Sequence, residues 1–175
     1  MSSVQIERNG YELHPRDGFI VTHFLTVADI ARSAHFYEKV FDGRIQSLGN
    51  SEGASGHIQI ANTWLIVNVG GGPTPDKPMV TLSVPPNPDR ISSFMNIRVA
   101  DIQTCYELWK SRGAEFITEP IPKYGETRCY IRDPDGYHAC PNYDSICERK
   151  QGRASASLRL GSGKANHKAT KEAQP

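Results

Sequence analysis

The tetrapeptide VADI occurs twice in this 175-residue chain, at Val27 and again at Val99, an offset of 72 residues. At that offset the apolar pair Phe36 and Tyr37 falls on a second pair, Leu108 and Trp109. A self-match held at fixed offset means that a fold is built from copies of one unit. In the first copy, "GFIVTHFLTVA" has the β-branched and aromatic content of a buried strand. Asp29 can cap the segment that follows. There Ile30, Ala34, Tyr37 and Phe41 recur at helical spacing, and Gly43 supplies a stop. "RIQSLGN", "GHIQIAN" and "TWLIVNV" then read as three further strands. The unit is βαβββ.

The second copy runs from "FMNIRVA" through a helix capped by Asp101 and stopped near Gly113, then through "AEFITEP", "RCYIRD" and "YHACPNY". The DPDG at positions 133 to 136 predicts a tight turn between its last two strands. The expected organisation is a polar lead-in over 1–17, a first module over 18–82, a linker over 83–92, a second module over 93–145 and a disordered basic tail over 146–175. Gly and Pro are dense from Gly70 to Arg90, which suits a connecting segment with an edge strand at most. Its three consecutive glycines are followed by Pro73 and Pro75, so they do not open a phosphate-binding helix.

Charge and composition exclude several classes. A net charge of +1 gives the body no electrostatic footprint for nucleic acid, and no apolar run approaches the length of a membrane span. The N-terminal "MSSVQIERNG" lacks the basic and apolar regions of a signal peptide, so a cytoplasmic location is expected. Cys105, Cys129, Cys140 and Cys147 show neither a C-x-x-C pair nor zinc-finger spacing, and reduced thiols are expected in that compartment.

Paired βαβββ units, with "VADIARSAHFYEKVFDG" in the first and "RDPDGY" near the end of the second, resemble the vicinal oxygen chelate superfamily. That superfamily includes glyoxalase I, bleomycin-resistance proteins and extradiol dioxygenases. The resemblance covers roughly residues 18 to 145 and implies an α+β fold in which two modules form paired half-cups around a shared pocket. It specifies the fold better than the reaction, and function has to be argued from the site.

Metal-dependent members of that superfamily carry His or Glu ligands on the first and last strands of each module. Counting along the shared motifs, the resemblance carries those positions onto Thr22, Asn68, Phe94 and Cys140. One hydroxyl, one amide, one aromatic ring and one thiol make a poor donor set for a divalent ion, so no metal cofactor is expected. His23 is the alternative ligand, for zinc, nickel, manganese or iron. It stands one residue from a ligand position, and strand alternation turns it toward the helix side unless a β-bulge intervenes before Val27.

The same alternation lines the expected pocket with Thr22, Phe24, Thr26, Trp64, Ile66 and Asn68 from the first module. Phe94, Asn96, Arg98, His138 and Cys140 come from the second. An aromatic cavity with sparse polar groups suits a small organic ligand. Arg98 is a candidate grip for an anion, its alternatives being a surface arginine or an internal ion pair. Cys140 and His138 share parity, but two residues along a strand separate them by roughly 7 Å with no third group to orient them, so a polar lining is expected rather than a nucleophile and base. Catalytic residues are not assigned.

The leading expectation is therefore a small-molecule-binding protein of the glyoxalase and bleomycin-resistance type, a homodimer with a metal-free pocket. A metal-dependent lyase, isomerase or dioxygenase of the same superfamily is the alternative. An interaction module working through the basic tail is another.

Overall fold

The computed structural model describes residues 13–50 and 53–144. The expected tail lies outside them, as do Cys147 and most of the lead-in. The first module runs β1 (His23–Thr26), α1 (Ile30–Phe41), β2 (Arg44–Leu48), β3 (Gly56–Ile60) and β4 (Thr63–Asn68). These strands form one sheet in the order β1-β4-β3-β2, with β1 parallel to β4 and the other neighbours antiparallel. The second module runs β5 (Met95–Arg98), α2 (Ile102–Ser111), β6 (Glu115–Phe116), β7 (Ile121–Lys123), β8 (Glu126–Arg128), β9 (Ile131–Arg132) and β10 (His138–Asp144).

Its five sheet pieces after α2 amount to three strands. β10 pairs with β9 at one end and β8 at the other, and between them the Cys129 N–H donates to the Pro141 carbonyl at 3.1 Å. β6 pairs with β9 and β7 with β8 in the same way. With β5 parallel to β10, the order across the sheet repeats that of the first module. The α+β class and the βαβββ repeat are therefore as the sequence predicts.

The helices begin where their caps dictate. Asp29 accepts from the Arg32 N–H at 2.9 Å and Asp101 from the Thr104 N–H at 3.0 Å, each satisfying a backbone donor that has no partner within its helix. One core joins both modules: Leu25, Val27, Ile58, Leu65 and Val67 pack under Ala34, Tyr37 and Val40, and the cluster continues through Trp109, Ile131 and Ala139. Phe41 and Trp109 meet edge to face with ring centroids 5.1 Å apart, so α1 touches α2 directly.

Two strand expectations are corrected. The predicted first strand shrinks to His23–Thr26, because strand pairing needs a partner and β4 supplies one only from Leu65 to Asn68. Phe19 and Val21, read as strand residues, are 87% and 80% exposed. Within "AEFITEP" only β6 is strand, and β7 begins just beyond it at Ile121, since Pro120 lacks the N–H that a continuous ladder uses.

Candidate functional site

The DPDG turn is more than a chain reversal. Asp133 Oδ1 accepts from the N–H groups of Asp135 at 2.9 Å and Tyr137 at 2.7 Å, which sets the turn. Asp135 then reaches across to the start of α1, where its carboxylate accepts from the Ala28 N–H at 2.8 Å, from the Arg32 guanidinium and from the Ser33 hydroxyl. Tyr37 donates to Asp133 Oδ2 at 2.7 Å, and the Thr26 N–H donates to the Tyr137 hydroxyl at 3.2 Å. The motif that marks the end of the second module is thus what clasps it to the first.

Beneath this clasp a cavity of about 10 Å³ is lined by residues including His23, Leu25, Tyr37, Phe94, Tyr137 and His138. That is room for about one water. A small organic ligand does not fit there.

The helix-facing sides of both sheets are spent on the core, as Met95, Ile97, Ile131 and Ala139 in the second module illustrate. Alternation places the remaining residues on the opposite, open faces. In the first module Phe24 is 45% exposed there, Thr22 and Ile66 are half-buried, and Thr26 and Trp64 are buried. The Asn68 amide donates to the Gly53 carbonyl and Ser55 hydroxyl, each at 3.0 Å, and its oxygen accepts from the Gly70 N–H at 3.1 Å.

Three cross-strand rows make the open face of the second module. The first brings Phe94 beside His138 and Arg132; Phe94 is 43% exposed and meets Tyr130 edge to face at 5.8 Å. Asn96 and Cys140 form the second, and Arg98, Asn142 and Arg128 the third. Arg98 donates to Glu126 Oε1 at 3.0 Å, and Arg128 donates to Glu126 Oε2 at 3.1 Å. Asn142 donates to Asn96 Oδ1 at 2.6 Å. Arg98 is therefore in an ion pair, one of the two alternatives its sequence position left open.

Register corrects one mapping. Asn68 stands opposite Thr26, whereas the residue opposite Arg98 is Asn142, so the counterpart of Asn68 is Asn142 and not Cys140. The offset of 72 holds for the first strands and helix starts but grows to 74 at the last strands, because the segments after the helices differ in length. The shift of two leaves Cys140 on the same face. Cys140 is buried and desolvation raises its thiol pKa, while His138 Nε2 lies 2.9 Å from the Pro88 carbonyl. Neither is poised to activate the other.

His23 shares the helix-facing side with Leu25, and the β1–β4 register runs from His23 to Thr26 without a bulge. Burial lowers its pKa. Among the described residues, no three His, Cys, Asp or Glu side chains converge as a divalent ion requires. With the Asn68 amide committed on both sides and Cys140 buried, the residues present do not fit the metal of the metal-dependent members.

Sequence reasoning passed over Tyr130, Arg128, Glu126 and Asn142. The alternation in "TRCYIRD", where Cys129 and Ile131 are buried, was the signal that places Arg128 and Tyr130 on the open face.

The family model of the Glyoxalase/Bleomycin resistance protein/Dioxygenase superfamily matches residues 20–140. Among curated proteins none matches significantly. An integron cassette protein from V. cholerae aligns at 20% identity and TM-score 0.54, covering 74% of this chain and 98% of its own. TnmS3, an antibiotic binding protein from Streptomyces sp. CB03234, aligns at 17% identity and TM-score 0.53, with 75% and 100% covered. The fosfomycin resistance protein FosX from Listeria monocytogenes aligns at 17% identity and TM-score 0.55, with 76% and 97% covered. At these identities the likeness shows a shared fold. No helix among the described residues is long and apolar enough to cross a membrane.

Proposed function

The chain belongs to the Glyoxalase/Bleomycin resistance protein/Dioxygenase superfamily, and from that premise we propose that it binds a small organic molecule on the open sheet faces, without a metal. The observation that carries this reading is a contrast of space. The cavity lined by His23, Tyr37 and Tyr137 has room for about one water, whereas Phe24 and Phe94 stand 45% and 43% exposed on surfaces that alternate aromatic and polar side chains. An antibiotic binding protein of the same fold lends support to the ligand class.

An open face cannot by itself desolvate a ligand on both sides. The proposed protein is therefore a homodimer in which a second copy covers the faces that carry Phe24 and Phe94. Light scattering at micromolar concentration should return twice the chain mass, and a monomer mass would remove the second copy from the proposal. Benzamide, a neutral planar aromatic, at millimolar concentration should shift amide resonances around Phe94, Asn96 and Asn142. Shifts confined to other surfaces, or none, would overturn the open-face reading.

A further inference from the structure

On the reading that the open faces take the ligand, we propose that the row Arg98–Asn142–Arg128 selects an aromatic ligand bearing a single carboxylate. Asn142 is the register partner of both arginines, so two guanidinium groups flank it on one face. Between them lies one carboxylate, Glu126, each of whose oxygens accepts from one arginine. In the next row Lys123 and Asp144 stand either side of Glu126 and cancel. Among the described residues of these two rows the sum is one positive charge. Arg132, four residues along the same face from Arg128, is different: Asp89 at 2.7 Å and Glu115 at 3.6 Å already occupy it. Placement thus favours an anion at Arg98 and Arg128 and not at Arg132.

A second observation points to a ligand at the same row. Asn142 is 1% exposed, yet its Oδ1 has no hydrogen-bond partner; the buried Nε atoms of Arg128 and Arg132 also lack one, so it is the amide acceptor that singles out this row. A buried polar atom left unpaired costs about 1–3 kcal/mol, and such orphans mark sites completed by something else. An orphan acceptor beside an orphan donor suits a hydroxy acid best: the ionised carboxylate accepts from the guanidinium, and the separate hydroxyl donates to the amide oxygen. The aromatic body is placed by Phe94 and Tyr130, in edge-to-face contact on this face. Tyr130 lies two residues from Arg128, roughly 7 Å along the strand, which is the length of a one-ring acid.

Benzoate, benzamide and phenylphosphonate titrated against the full chain by NMR separate the possibilities. Benzoate should bind about tenfold more tightly than benzamide, as expected when charged hydrogen bonds replace neutral ones. Arg98→Gln should abolish that preference and leave benzamide unchanged. Because misfolding would also produce a loss, Glu126→Gln supplies the opposite sign: removing the competing carboxylate should strengthen benzoate binding severalfold. Benzoate and benzamide binding equally, Glu126→Gln leaving benzoate unchanged or weaker, or the phosphonate binding more tightly than benzoate would each overturn the charge selection while the open-face reading stands. If no aromatic probe moves the open-face resonances, both fall together.

Discussion

The Tyr37 hydroxyl donates to Asp133 Oδ2 at 2.7 Å, tying the helix of the first module to the turn of the second. Burial, and then the Asp133 carboxylate, push the phenol well above its ordinary pKa, so it is a donor at neutral pH. Tyr37→Phe leaves a buried carboxylate oxygen without its donor and should cost about 1–3 kcal/mol. That corresponds to a fall in melting temperature of about 2–4 °C for each kcal/mol in a chain of this size. An unchanged melting temperature would show that the bond contributes nothing.

Asp133 itself has a pKa raised by burial, partly offset by the hydrogen bonds from Tyr37 and the turn backbone. A carboxyl whose folded pKa lies above its unfolded value contributes stability that is present at low pH and lost as pH rises through the folded value. Asp133→Asn keeps an acceptor for the turn and does not titrate. The difference in unfolding free energy should therefore move in favour of the variant as pH rises through the carboxylate range and then level off. A constant difference from pH 3 to 7 in urea melts would sink the assignment.

His23 works in the other direction. Burial lowers its pKa, so the unfolded chain takes up a proton that the folded chain resists, and the stability this group contributes is lost as pH falls below the ordinary imidazole value of about 6.5. His23→Gln should flatten the acid limb of the stability curve between about pH 5 and 7. A variant whose curve is parallel to the parent there would mean that another histidine is responsible.

The donor set predicts indifference to metals. Zinc, nickel, manganese and iron(II) should leave the melting temperature of dialysed protein unchanged, whereas a tight ligand at a hundredfold over its Kd would add about 2.7 kcal/mol. Stoichiometric metal that disappears on His23→Ala would reinstate the metal-dependent alternative.

Much of the fold is local information. The repeated VADI, the capping aspartates 29 and 101 and the stripe Ile30, Ala34, Tyr37 and Phe41 specify strand, cap and helix through near-neighbour interactions, so they could be read before any packing was known. Strand alternation likewise assigned a face to Phe24 and Phe94, because the side-chain period of two does not depend on which strand lies beside them.

Pairing and partnership lie beyond that reach. Cys140 was matched to Asn68 by counting, and only the ladder, which sets Asn142 opposite Arg98, could move the match by two residues. Arg98 could be recognised as a cation on an open strand, but its shared carboxylate comes from Glu126, 28 residues away, and its second guanidinium from Arg128. DPDG announced a turn through its own backbone chemistry, yet the target of Asp135 is the start of a helix more than 100 residues earlier. Propensity, caps and periodicity act over a few residues and are written in the chain; register, ion pairing and the clasp between modules arise when distant segments are brought within hydrogen-bond distance, which only the folded core accomplishes.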